Sequence, residues 1–161
     1  MHSDDDFTNP PGRRVGALAL ITNPDGDILL VEKRYRKDQG DLLPWGLPGG
    51  CAQADEDLHD AFRREVLEET GRRVEPGDLL TVHHMPANPP SREGINFVFD
   101  GGFLHPATPL HLPGDELSDY RYVPYEDLGD FLPPYQLLRV RTAVRASLDG
   151  HRTAYITGHP A

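Results

Sequence analysis

Residues 50–71 read GCAQADEDLHDAFRREVLEETG, and their spacing predicts a helix from about Glu56 to Thr70. Asp55 can cap its first turn, and Glu56 and Asp57 suit the positive end of the helix dipole. Gly71 followed by Arg72 and Arg73 is a stop signal. Leu58, Ala61 and Phe62 form an apolar stripe at three- and four-residue spacing. Continued by the same spacing, that stripe lands on Glu65 and Glu69, with Val66 at its edge and Glu68 three residues beyond Glu65. Carboxylates therefore stand where the pattern should turn inward. They repel one another, and they sit in the last turns, where the dipole disfavours anions, each effect costing a few tenths to about 1 kcal/mol. A local cost with no local compensation marks a functional site. The simplest compensation is a cation. Clustered carboxylate oxygens, with no Cys or His among them, suit Mg²⁺, Mn²⁺ or Ca²⁺ rather than zinc. The alternative is a solvated acidic face partnered by Arg63 and Arg64.

Outward from this helix, strands are expected on both sides. Arg14–Thr22 (RVGALALIT) and Ile28–Glu32 (ILLVE) flank the turn Asn23-Pro-Asp-Gly-Asp27 and read as a hairpin. Residues 33–45 read as a polar, partly basic loop, followed by Gly46-Leu-Pro-Gly-Gly50, which no helix interior tolerates. Leu79–His84, Asn96–Leu104 and Tyr120–Pro124 read as further strands, and the Pro-rich stretch 83–94 as a mobile loop. Pro134–Leu148 reads as a second helix with Pro at its start and Asp149-Gly150 as its stop. Strands before and after a helix, with another helix at the end, predict an α/β fold with a mixed β-sheet covered by helices.

Composition narrows the class. With 161 residues the chain is expected to hold one domain, over residues 13–150, between a disordered leader at 1–12 and a tail at 151–161. Sixteen Lys and Arg against 26 Asp and Glu give a net charge of −10, which repels phosphate backbones and argues against duplex nucleic acid as a partner. An anionic small molecule would then need a local cation. The single cysteine, Cys51, precludes an intramolecular disulfide and fits a reducing, cytoplasmic setting. No apolar run approaches the ~20 residues that cross a bilayer, so no membrane partner is expected.

The spacing Gly50, five residues, Glu56, seven residues, Arg64-Glu65-Val66, one residue, Glu68-Glu69, one residue, Gly71 resembles the signature of the Nudix hydrolases. The first hairpin, the WGLPGG run and the terminal helix are similar to the family too, so the resemblance covers most of residues 13–148. It implies an α/β/α sandwich, and hydrolysis of a nucleoside diphosphate linked to another moiety with Mg²⁺ or Mn²⁺. By matching position, the resemblance makes Glu68 and Glu69 the main metal ligands and Glu65 a further ligand or the group that positions or deprotonates the attacking water. It has Arg64 hold those glutamates, Gly50 contribute its carbonyl near the metal, and Glu56 support the loop through Arg64, with Gly49 and Gly71 shaping the turns. In some members a further acid lies six residues before an aromatic in a later strand. Glu116, six before Tyr122, is the candidate for an extra ligand or base, with Glu93 its rival. A homodimer is compatible with the resemblance.

Three positions depart from the family pattern: Gln53 where glutamate is common, Asp55 where glycine is frequent, and Arg72 where an aliphatic residue is usual, with Val74 placed to take over its packing. Lys33, Arg34, Arg36 and Lys37 are the densest basic cluster. Arg34 and Arg36 are candidates for substrate phosphate, the alternative being a solvated strand end, and Tyr35 and Trp45 are candidates for stacking on a base, although Trp45 could equally be core. Cys51 is expected to be a small packing residue, and His83 and His84 to be surface residues. Two other readings remain. One is a non-catalytic nucleotide-binding module or sensor of the same fold. The other is an acidic cation-binding protein with no substrate.

Overall fold

The computed structural model describes residues 5–150 and 152–160. One eight-stranded mixed sheet runs through the molecule. Its strands are Arg14–Thr22 (β1), Ile28–Lys33 (β2), Trp45–Gly46 (β3), Gly49–Cys51 (β4), Leu79–Met85 (β5), Gly94–Phe103 (β6), Leu117–Val123 (β7) and Ala154–Thr157 (β8). The path is β3-β2-β1-β6-β5-β8, with β4 added to β1 and β7 to β2. β1 and β6 are parallel, as are β5 and β8; the remaining pairs are antiparallel.

β1 is buried on both faces, and its period of two divides the core. Ala17, Ala19 and Ile21 face one layer with Leu29, Phe62 and Val66. Leu18 and Leu20 face the other with Leu30, Leu80, Val140 and Ala143. Helix Leu58–Thr70 (α3 in chain order) closes the first layer and Pro134–Leu148 (α4) the second, which gives the α/β/α sandwich expected from the sequence. Two shorter helices, Asp5–Thr8 (α1) and Arg34–Asp38 (α2), and a 3-10 helix at Tyr125–Asp130 complete the elements.

Several local expectations differ. β1 and β2 meet as a hairpin only at its root, Thr22 opposite Ile28. Beyond it the strands part, and β4 and β6 flank β1 while β3 and β7 flank β2. The divergence opens the sheet where the glycine-rich run crosses it. The polar stretch after Lys33 contains the single-turn helix α2. Residues past Gly150, expected as a tail, add strand β8 beside β5. Of the leader, residues 1–4 lie outside the described residues, and Asp5–Thr8 makes one helical turn. The cap of α3 is Asp57, whose carboxylate accepts from His59 N–H at 2.9 Å. Asp55 instead takes φ +62°, the only non-glycine residue described with positive φ. The family pattern usually places glycine there, and glycine adopts that backbone without strain.

Candidate active site

Helix α3 lies against β1 and β4, which brings Glu65 and Glu69 to the glycine turn. Glu69 is buried at 5% exposure. Its Oε2 accepts from Gly49 N–H at 2.9 Å, and its Oε1 from Lys33 Nζ at 2.8 Å. Lys33 also reaches the Gly49 carbonyl at 3.4 Å. Gly49 has φ +132°, and a Cβ there would overlap the Ala17 carbonyl, so only glycine brings this N–H to the helix. Gly50 stands against Glu65: a Cβ at Gly50 would lie 2.7 Å from the Glu65 carboxyl carbon.

Arg64 holds the other carboxylates. Nε and Nη2 donate to the two Glu56 oxygens at 2.8 Å each, a bidentate fork. Nη1 donates to Glu65 Oε1 at 3.0 Å and to Glu68 Oε2 at 3.4 Å, and Nη2 also reaches the Cys51 carbonyl at 3.1 Å. Gln53 N–H donates to Glu56 at 3.0 Å, so the residue that replaces the usual glutamate anchors the loop through its backbone. The Arg64 fork holds the Glu56 carboxyl down at about 2. Glu65 moves the other way: burial pushes its carboxyl up, and the charges of Glu69 and Glu68 add to the rise against the pull of Arg64. Glu68 is the most exposed of the three at the end of the helix.

Four carboxylates thus share two cations, Arg64 and Lys33, which leaves an excess of two negative charges beside a glycine turn. Among the described residues no three His, Cys, Asp or Glu side chains form a ready metal cage, because the like charges turn to Arg64 and Lys33 instead. The donor set is nonetheless all oxygen and in excess, and it fits a hard divalent cation.

The same turn borders a cleft of about 740 Å³, lined by Lys33, Gly49 and Gly50 at this end and by residues of α4 and the chain end elsewhere. Tyr35, 61% exposed, lines it. Arg36 lines it too, but its guanidinium is committed to Asp41 and to the carbonyls of Leu43 and Trp45. Trp45 does not stack in the cleft: it is 7% exposed and stands edge-on to Phe131 in the core, its ring centroid 5.4 Å away. Arg34 is half-buried away from the cleft, and its Nε meets no partner among the described residues. Glu116 is exposed just before β7, where its carbonyl accepts from Arg34 N–H at 2.8 Å. That places it next to the strand end carrying Lys33, and its carboxylate is not bonded to the helix glutamates. The rival Glu93 is engaged by Arg13 at 2.6 Å and His84 at 2.8 Å.

Arg72 donates twice to the Pro109 carbonyl, and Val74 packs with Phe62 and Val66, taking over the aliphatic place as expected. Cys51 is exposed at the end of β4 and is not a packing residue. His83 is fully buried in β5 rather than at the surface. It is held there because its Nε2 meets the Gly158 carbonyl at 2.9 Å and its Nδ1 accepts from Arg139 Nε at 3.0 Å. Sequence reasoning missed Arg139, which lies on the inner face of α4. The available signal was its position four residues after Tyr135 and one before Val140 on the apolar stripe.

A family model for the NUDIX domain matches residues 12–143. The chain is 28% identical over 88% of its length to Nudix hydrolase 2 of Arabidopsis thaliana, and 36% identical over 52% to a MutT-like protein of Streptomyces ambofaciens. It spans about half the length of these curated relatives. Among solved structures it superposes on a MutT protein of Methanosarcina mazei Go1 with a TM-score of 0.68 and 29% identity, covering 87% of this chain and 96% of that one. The match across most of the chain, which includes the helix whose carboxylates break its own apolar pattern, shows that the protein belongs to the NUDIX family.

Proposed function

We propose that this protein is a Mg²⁺- or Mn²⁺-dependent pyrophosphohydrolase that cleaves a nucleoside diphosphate linked to another moiety. The observation that carries the reading is the charge excess of the α3 carboxylates beside the glycine turn, at the mouth of a cleft large enough for a nucleotide. Glu65, Glu68, Glu69 and the Gly50 carbonyl would hold the cation. When bound, it supplies neutralisation of the diphosphate oxygens and a lowered pKa for water. Arg64 orients Glu65 and Glu68 by donating to both carboxylates. Glu65, its carboxyl raised by burial, is suited to accept the proton of the attacking water. Lys33 holds Glu69 in place, and with Glu69 engaged by a cation it would be free to meet a phosphate oxygen. Glu116 precedes Leu117, the residue paired with Lys33, and would serve as the additional ligand or base. Tyr35 offers an exposed ring for a base along the cleft wall.

The test is product analysis on nucleoside triphosphates, dinucleoside diphosphates and nucleotide sugars, with Mg²⁺, with Mn²⁺ and with chelator. Metal-dependent cleavage of the anhydride, reduced by at least about a hundredfold in Glu69→Gln, is the expected result. Metal-dependent binding of nucleotide without turnover would establish the sensor reading instead. Stabilisation by metal with none added by nucleotide would establish a cation-binding protein.

A further inference from the structure

The sheet carries, under the cleft, a polar side chain that the fold does not use. Asn96 stands on the inner strand β6, opposite Gly16 on β1 and His83 on β5. It is 7% exposed, and it lines the cleft. Neither the oxygen nor the nitrogen of its amide has a hydrogen-bond partner among the described residues. The polar groups beside it bond elsewhere: Arg14 Nη1 lies 3.7 Å from Cys51 Sγ, and Arg139 Nε donates to His83 Nδ1 at 3.0 Å. The place is shaped for this side chain. A Cβ at Gly16 would overlap Asn96 Oδ1, so the glycine leaves the room in which the amide lies. Gly16 is not among the residues of positive φ, so it supplies space rather than an unusual backbone.

A buried amide left unpaired is costly, and a ligand that pairs with it recovers the cost. Such a ligand must present a donor beside an acceptor, because the amide offers one acceptor and one donor group side by side. A phosphate or carboxylate presents acceptors alone and sets its oxygens against Oδ1. A hydrocarbon presents neither. Each nucleobase carries an N–H next to a ring nitrogen or a carbonyl oxygen on one edge, and Asn is a usual partner for an edge of this kind. The surroundings suit a flat ring, since Leu18, Leu47, Met85 and Tyr135 line the same cleft. The spacing suits a nucleotide. Cys51, next to Gly50, pairs with Gly16, and Gly16 pairs with Asn96, so two strand spacings, about 10 Å, separate the turn from the amide's strand. A ribose bridges such a gap between a phosphate held at the turn and its base.

We infer that the Asn96 amide reads the hydrogen-bonding edge of a nucleobase, so that substrates carrying a base on the diphosphate are preferred over sugar or hydrocarbon diphosphates. This rests on the hydrolase reading for the diphosphate, and adds to it the residue that selects the organic moiety in the same cleft. Gly16 is the positioning residue and acts through Asn96, by leaving the space in which the amide lies.

Calorimetry separates the two readings, because it can use ligands without an anhydride. AMP, GMP, CMP and UMP are each compared with ribose 5-phosphate in Mg²⁺, which holds the sugar and the phosphate constant. At least one nucleotide should bind about tenfold more tightly than ribose 5-phosphate, the order expected of one bidentate base contact. Asn96→Leu, similar in size but without polar atoms, should bring that ratio to within about twofold of unity. Gly16→Ala keeps the amide but displaces its oxygen, so it should reduce the ratio too, and it covers the case in which Asn96→Leu fails to fold. Equal binding of all five ligands by the unmodified protein overturns the inference. So does a base preference retained in both variants, which would assign it to stacking alone. A loss shared equally by the nucleotides and ribose 5-phosphate also overturns it, since the amide would then serve the phosphate, the sugar or the fold. Turnover is measured separately on ADP-ribose, UDP-glucose and geranyl diphosphate. Cleavage of all three at equal kcat/KM, unchanged in Asn96→Leu, would leave the hydrolase standing and remove the base-reading role. A base preference in binding with no turnover of any of them would keep that role and remove the hydrolase.

Discussion

Lys33 Nζ lies 2.8 Å from Glu69 Oε1, and Glu69 is almost fully buried, so the central carboxylate of α3 is neutralised by a residue from the far end of β2. Removing one partner of such a pair leaves an uncompensated charge and costs roughly 3–5 kcal/mol. Lys33→Met should therefore lower the melting temperature in chelator. With the lysine gone, the cation becomes the only available neutralising group. Millimolar Mg²⁺ should then raise the melting temperature of Lys33→Met by more than it raises that of the unmodified protein. An equal shift in both proteins would show that the lysine and the metal do not compete for Glu69.

Arg64 supports three carboxylates through one guanidinium, with both edges in use. Lysine keeps the charge but cannot reproduce a fork that meets Glu56 and Glu65 together. Arg64→Lys should lose about ten- to a hundredfold in activity, the usual effect of removing a group that orients metal ligands. The loss should fall on kcat and on the metal concentration needed for half-maximal rate. Full activity in Arg64→Lys would mean that charge alone suffices there.

Gly49 and Gly50 are adjacent but should fail differently. At Gly50 the obstacle to a side chain is the Glu65 carboxylate, which can move. Gly50→Ala should fold, with activity reduced because Glu65 is displaced from the turn. At Gly49 the obstacle is the β1 backbone, and φ is +132°, so Gly49→Ala strains the chain itself, at about 1–3 kcal/mol for the backbone alone. Denaturation midpoints and rates measured together distinguish the two. Equal stability losses would show that the Gly50 site is as rigid as the Gly49 site.

The division between what the sequence showed and what it hid follows the range of the interactions. α3 was legible because its apolar stripe and its carboxylates share one helical period. Its inward glutamates could be read without knowing what they face. α4 was legible from Pro134 and the Asp149-Gly150 stop. The cap was misplaced by two residues because Asp55 and Asp57 are chemically equal candidates, and only backbone dihedrals separate them. Trp45 next to a glycine run has the composition of either a stacking residue or a core residue, and Phe131, which decides the matter, is distant in sequence. β8 is a four-residue strand supported by its pairing with β5, which is distant in sequence, and by its packing on α4. His83 and Arg139 are 56 positions apart, and nothing local signals their pairing.

That pair makes the last prediction, on pH. The His83 ring is fully buried, and burial pushes its imidazole from 6.5 down to about 4, with the charge of Arg139 adding to the fall against the Gly158 carbonyl. The unfolded chain takes up this proton near 6.5 and the folded chain only near 4. Between those values the unfolded state binds more protons, so stability falls as pH falls. At about 1.4 kcal/mol per unit, the loss from pH 6.5 to pH 5 should be about 2 kcal/mol. Glu56, Glu32, Asp41 and Glu93 have depressed carboxyls, whose contributions are lost only below about 4.5. Glu65 is raised, so the folded state takes its proton first, and its term opposes the histidine slightly near pH 5. Urea denaturation at pH 6.5 and pH 5 should show the loss in the unmodified protein and a near-flat response in His83→Asn, whose amide oxygen can still accept from Arg139. If the slope persists in His83→Asn, the proton is taken up elsewhere and the buried imidazole does not control acid stability.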